Sequence, residues 1–142
     1  RFWDIRKPIY THLRHLPGSR FTDCHVSDSI VDDGCFLDRC QIDQSIVGIR
    51  THVQSGARIS RSVLLGADLY DDTVSADGRP ALGIGRDVTL DRVIVDKNAR
   101  IGDGARLVNE SGIQEVDGDG YVIRGGIIVV PKGGIIRPGT VV

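Results

Sequence analysis

The chain has 142 residues, a length that suits one domain, and it is 40% hydrophobic but only 5% aromatic, so a core must come from Val, Ile and Leu. Its 18 Lys and Arg against 19 Asp and Glu leave a net charge of −1, which excludes a general nucleic-acid binder, because such a protein needs a basic surface. No apolar run approaches the roughly 18 residues of a membrane span, so no membrane partner is expected.

Residues 1–20, RFWDIRKPIYTHLRHLPGSR, carry five Arg or Lys, two histidines, Pro8 and Pro17. They read as an extended arm or interdomain linker, docked through Phe2, Trp3 and Tyr10. Because the chain starts at Arg1 rather than Met, it reads as a fragment whose upstream part is missing.

From residue 21 a short repeat takes over, and repeats outrank other signals. Hydrophobic posts stand at Phe21, Val26, Val31, Leu37, Ile42, Val47, Val53, Ile59 and Leu65. A second series is Ile84, Leu90, Val95, Ile101 and Leu107, and a third is Val130, Ile136 and Val142. The steps are five or six residues. Four after a post comes a small or β-branched residue, as at Cys35, Thr51, Ala57, Val63, Val88, Ala99, Ala105, Gly134 and Thr140. A helix would place apolar residues at i, i+3, i+4 and i+7, and a half-buried strand would alternate for longer. One short strand and one corner per hexad explain the period. Three sides make a coil of about eighteen residues, and stacked coils pair as parallel strands roughly 4.8 Å apart. Residues 21–142 are therefore expected to form an all-β parallel β-helix of four to five coils.

Two stretches break the period: 66–83, acidic with Pro80, and 108–122, with the turn signal Asp117-Gly118-Asp119-Gly120. Both are expected to leave the prism as loops. Cys24, Cys35 and Cys40 lack framework or zinc spacing and read as small core residues of an intracellular protein.

Catalytic chemistry finds little support in the residues. His12 and His15 lie in the arm. His25 and His52 are 27 apart, out of register for stacking, so no metal site is expected. His52 reads as a surface residue. The GxG at 83–85 has no helix pattern after it and reads as a corner rather than a phosphate loop.

The lysines say more. Against fifteen arginines there are three lysines, Lys7, Lys97 and Lys132. Lys97 in VDKNAR and Lys132 in VPKGGI each stand third in a hexad. Discounting the 108–122 excursion, they are about one coil apart and are expected to stack on one face. Two stacked ammonium groups repel by about 1 kcal/mol or less in water, and an anion between them turns that into attraction.

The segments KPIYTHLRHLP, SIVGIRTHV, LLGADLY, LGIGRDVTLDRVIVDKNARIGDGARLVNESGIQE and DGYVIRGGIIVVPKGGIIRPGTVV together resemble the C-terminal domain of glucose-1-phosphate adenylyltransferase (ADP-glucose pyrophosphorylase), in its plant and cyanobacterial form. The resemblance implies a left-handed β-helix of hexapeptide repeats, a hand that departs from the usual crossover rule. It implies a cytoplasmic enzyme that makes ADP-glucose and pyrophosphate from ATP and glucose 1-phosphate for glycogen or starch synthesis. The catalytic N-terminal domain, with its Mg²⁺, is absent from this chain, which alone should hold no cofactor or metal and be inactive. The implied partners are that catalytic domain, further copies in a homo-oligomer (a tetramer in full-length members), and an anionic effector of the sugar-phosphate type. By this resemblance Lys97 and Lys132 are effector-binding residues, and Arg124 takes the place of a further basic residue. Two alternatives stay open: a hexapeptide acyltransferase with a coenzyme A site, and a purely structural assembly domain.

Overall fold

The computed structural model describes residues 4, 6–8, 12–71 and 76–142, and no helix occurs among them. The anchors expected for the arm, Phe2, Trp3 and Tyr10, lie outside the described residues. Residues 12–19 run without strand pairing until Arg20. The Pro17 carbonyl accepts the Gly34 N–H at 2.9 Å, and Ser19 Oγ accepts the Cys35 N–H at 3.0 Å.

The chain then winds as a three-sided parallel β-helix. The first coil is β1 (Arg20–Thr22), β2 (His25–Ser27) and β3 (Ile30–Val31). The second is β4 (Phe36–Asp38), β5 (Gln41–Asp43) and β6 (Ile46–Val47), and the third is β7 (His52–Val53), β8 (Arg58–Ser60) and β9 (Val63–Leu64). The fourth is β10 (Gly83–Ile84), β11 (Thr89–Asp91) and β12 (Val93–Val95). The fifth begins with β13 (Arg100–Ile101) and β14 (Arg106–Leu107), detours through β15 (Glu115–Asp117) and β16 (Val122–Arg124), and closes with β17 (Ile127–Val130). A sixth opens with β18 (Ile135–Ile136), and Val141 bridges Arg106. Three sheets result, β1-β4-β7-β10-β13-β18, β2-β5-β8-β11-β14, and β3-β6-β9-β12-β17-β16-β15.

Where no excursion intervenes, partners on one face lie 16 or 17 residues apart, as in Phe36↔His52 and Gly83↔Arg100, not eighteen. Many sides have five residues, so more coils fit than the four to five expected. The corner chemistry explains both side lengths. In six-residue sides the third residue after the inward post has positive φ: Arg50, Asp87, Asn98 and Gly133 among others. In five-residue sides it is the second, as at Asp23, Asp28, Arg39, Gln44, Arg61 and Arg92. A non-glycine residue in this region costs roughly 1–2 kcal/mol. The stack offsets that cost, because the N–H of the turning residue donates to the coil below: Arg39 to Thr22 O at 2.7 Å, Gln44 to Ser27 O at 3.2 Å, Arg92 to Ser60 O at 3.2 Å.

The residue after the turn points inward and must be small. In five-residue sides it follows the post by three, so Ser62, 2% exposed, fills the slot expected for Val63. The next post is then Leu64, 2% exposed, while Leu65, expected as a post, is 43% exposed. One residue fewer in this corner moves the next inward position from Leu65 to Leu64, because neighbouring strand residues face opposite sides. The posts Leu37, Ile42, Val47, Val53, Ile59, Ile84, Leu90, Ile101, Leu107 and Ile136 are buried as read, whereas Phe21 stands at the open first coil and is half exposed. Cys35 and Cys40 are buried and Cys24 is partly so, with Sγ atoms of Cys24 and Cys40 3.5 Å apart on neighbouring coils. Burial pushes the Cys40 thiol up to about 12, so it is protonated and inert at neutral pH.

One corner is wired by serines. Ser29 Oγ accepts the Ser45 N–H, Ser45 Oγ the Ser62 N–H, and Ser62 Oγ the Val93 N–H, each at 3.1 Å. These N–H groups would otherwise be orphaned in the interior.

The excursions differ in kind. Residues 66–82 leave between β9 and β10, and their described ends are held by Arg100, which binds Asp71 Oδ2 at 2.6 Å and Pro80 O at 2.8 Å. The second excursion, expected as a loop, returns as a hairpin: β15 pairs antiparallel with β16, and β16 with β17. The Asp117–Gly120 stretch is its turn. Ile123 is fully buried there, so the hairpin extends both sheet and core. Buried Asn109 ties its base, bonding Ile113 twice and Gly126 O once, each at 2.9 Å.

Three substitutions test the register and the serine ladder. Leu64→Ala should cost about 2–5 kcal/mol in urea unfolding, and Leu65→Ala under about 1 kcal/mol; equal costs would contradict the assignment of the inward face. Ser62→Ala, which strands the Val93 N–H in the core, should cost about 1–3 kcal/mol by the same measurement.

Candidate functional site

The expected stacking of the two lysines is present. Sheet register pairs Val95 with Val130, so Lys97 and Lys132 occupy equivalent corner positions two residues past the ends of β12 and β17. The Lys97 carbonyl accepts the N–H of Gly133 at 2.8 Å, which locks the two corners together. Each lysine immediately precedes the residue that turns the corner, Asn98 (φ 61°) or Gly133 (φ 67°). That slot points outward, and the repeat needs no charge there.

A carboxylate from outside the repeat joins them. Asp68, at the start of the 66–82 excursion, places Oδ1 3.0 Å from Lys97 Nζ and Oδ2 3.9 Å from Lys132 Nζ. Asn98 Nδ2 donates to Asp68 Oδ2 at 3.0 Å, and the Asp68 N–H donates to Asn98 Oδ1 at 2.8 Å. The Asn98 N–H in turn donates to Gly66 O at 3.1 Å. Gly66 is required here: φ is 88°, and a Cβ would lie 2.2 Å from Ile49 O. Asp96 faces its own corner, its Oδ1 accepting the Lys97 N–H at 2.6 Å. The Lys97 side chain is 32% exposed, that of Lys132 65% and that of Asp68 44%. The hydrogen bonds from Lys97 and Asn98 hold the Asp68 carboxyl below the usual carboxylate range.

Beside Lys97 opens a groove of about 360 Å³, walled by His12 and Arg14 of the arm, Asp32 and Asp33 of the first coil, and Leu65. A second groove of the same size lies against Phe36, His52 and Tyr70 and is mainly apolar. Its Arg50 donates to Ala67 O at 3.2 Å. His52, expected on the surface, is half-buried there with its ring 5.9 Å from that of Phe36. His25 and His52 lie in different sheets.

Arg124 is not brought to the lysines. It faces Ile127 at the start of β17 and binds Asp117 Oδ1 at 2.5 Å across the hairpin. The lysine corner lies past the other end of that strand, roughly 10 Å or more away at about 3.3 Å per residue. Asp68 and Asn98 are the residues that reading the repeat missed. Asn98 had a signal, since Asn tolerates left-handed backbone at a corner. Asp68 had none, because an excursion has no register from which to infer a partner.

What the fold and site define is a β-helix of five- and six-residue sides bearing an outward lysine pair. A family model for the GLGC left-handed parallel beta-helix domain matches residues 14–141, and the chain belongs to that family. The coil is therefore left-handed, and the chain is of the type found as the C-terminal domain of glucose-1-phosphate adenylyltransferase, in the ADP-glucose pyrophosphorylase family of nucleotidyltransferases. No helix of the described residues is long and apolar enough to cross a membrane, and no cluster of three or more His, Cys, Asp or Glu among them is placed to hold a metal.

The depressed titration of Asp68 has a checkable consequence. Its stabilising contribution is present above the unfolded carboxylate pKa and is lost as pH falls through the lower folded value. Carboxyl ¹³C NMR should find Asp68 titrating below the ordinary Asp range, and Lys97→Ala should return it toward that range. A midpoint unmoved by Lys97→Ala would show that the ion pair does not form.

Proposed function

We propose that this chain is the regulatory and assembly domain of an ADP-glucose pyrophosphorylase and that its lysine corner is part of an allosteric site for an anionic effector. The observation that supports this is the convergence of Lys97 and Lys132, from adjacent coils, on a single carboxylate: the corner gathers positive charge that the repeat does not require, and it does so around an oxyanion. The complete enzyme joins ATP and glucose 1-phosphate into ADP-glucose and pyrophosphate in a separate catalytic domain, which would hold the Mg²⁺. This domain turns nothing over by itself. Phosphate- and carboxylate-bearing metabolites of the sugar-phosphate type match the pair by charge.

Regulation then works by linkage. An effector held between this corner and basic groups of the catalytic domain favours one arrangement of the two by its differential affinity. Assembly is the second part of the reading. Among the described residues no strand pairs with the outer edge of the first coil, where Phe21 is half exposed, and such an edge favours contact with another chain. A cytoplasmic enzyme in homo-oligomeric form is the setting. Arg124, engaged with Asp117, is assigned to hold the hairpin rather than the effector.

The purely structural alternative draws on the same contact, since Asp68 already balances part of the lysine charge. The two readings separate in an enzyme that carries this domain joined to its catalytic domain. Lys97→Ala and Lys132→Ala should each raise the activator concentration for half-maximal stimulation by about tenfold or more, the loss of a charged hydrogen bond, with unstimulated turnover within about twofold of wild type. Unchanged activator response in both variants refutes the effector assignment.

A further inference from the structure

We propose that Asp68 is the resident occupant of the lysine pair, a built-in carboxylate that an incoming oxyanion displaces, so that Asp68 sets the affinity of the site. This rests on the reading of the corner as an anion site and adds how access to it is controlled.

The geometry carries it in three steps. Lys97 Nζ, Lys132 Nζ and Asn98 Nδ2 all address the two oxygens of one carboxylate, at 3.0, 3.9 and 3.0 Å. Three donors around two oxygens match the face of a tetrahedral oxyanion as well as they match a carboxylate. Lys132 reaches Asp68 only at the longer distance, so the carboxylate underfills the site. A dianion with more oxygens can engage all three donors.

The backbone and the carboxylate of Asp68 are held differently. Its backbone is tied down: the Ala67 N–H donates to Ile49 O at 2.9 Å, Ala67 is 4% exposed, and the Asp68 N–H donates to Asn98 Oδ1 at 2.8 Å. Its carboxylate is tied only to the side chains of the corner and is 44% exposed. Rotation of the side chain therefore releases the lysines into contact with another anion, leaves the excursion root in place, and delivers the freed carboxylate to water.

The third step is charge. With Asp68 in place the pair presents one net positive charge, and with it displaced or neutralised, two. Of the other acids near Lys97, Asp96 accepts the Lys97 backbone N–H and Asp32 and Asp33 line the adjoining groove, and among the described residues none of the three forms an ion pair with either lysine. Exposed ion pairs of this kind hold weakly, so the occupant is displaceable and still lowers the affinity for its competitor.

Inorganic sulfate, a dianion from neutral pH down through the carboxylate range, tests this on the 142-residue chain by amide NMR titration. Asp68→Asn keeps an oxygen for Asn98 and removes the charge. It should bind sulfate about two- to tenfold tighter than wild type, with shifts at Lys97, Asn98, Lys132 and Gly133 that vanish when Lys97→Ala is added. In the wild type, saturating sulfate should raise the Asp68 carboxyl midpoint toward the ordinary Asp value, a measurement that stands even where Asp68→Asn fails to fold. Lysine-dependent sulfate binding that is no tighter in Asp68→Asn, or that leaves the wild-type Asp68 midpoint unmoved, overturns the displacement and leaves the anion site intact. Absence of lysine-dependent sulfate binding in both wild type and Asp68→Asn overturns the anion site and the displacement together.

Discussion

A corner every five or six residues is the constraint on which this protein depends. Sides of two to four strand residues cannot turn inward on themselves with ordinary backbone angles, so one residue per corner takes positive φ, and most often it is not glycine. The strain is tolerable because the N–H of that residue meets a carbonyl of the coil below, as Arg39 meets Thr22 and Gly133 meets Lys97. Neither coil is stable without its neighbour. Stability accumulates along the stack, and the interior needs only small residues at corners and branched ones on the sides.

The same constraint builds the site. A corner aims the residue before its turning residue outward, and stacking puts the equivalent residues of neighbouring coils next to each other. Lys97 and Lys132 share that position, and the intervening hairpin does not disturb it, because β17 returns into register with β12 despite the detour through β15 and β16. The two excursions thus have opposite relations to the lysines. One lets the chain leave and return in phase. The other brings in Asp68, a carboxylate that the repeat did not generate.

Asp68 also changes what the lysine pair means chemically. Bare stacked ammonium groups would repel, whereas Asp68, bonded to Lys97 and close to Lys132, offsets one of the two charges and leaves one. On the proposed reading, such a corner would respond to the difference between two anions rather than to the presence of one.

The β-helix, the inward series from Leu37 to Ile59 and from Ile84 to Leu107, the positions of both excursions, and the stacking of Lys97 on Lys132 were legible in the residues alone. All of these follow from a local period that hydrophobic burial and corner closure impose on each side separately. The fold decided that Leu64 rather than Leu65 points inward, because the short corner before it is held by bonds to other coils, Ser62 donating its N–H to Ser45 Oγ and accepting the Val93 N–H. It alone decided that residues 108–126 form a hairpin with Ile123 in the core, that Arg124 turns to Asp117, and that Asp68 completes the lysine corner. The Asp68 contacts join residues 29 or more apart, and the hairpin, with its Arg124–Asp117 pair, docks on β17 once the prism presents that strand; no local period encodes either.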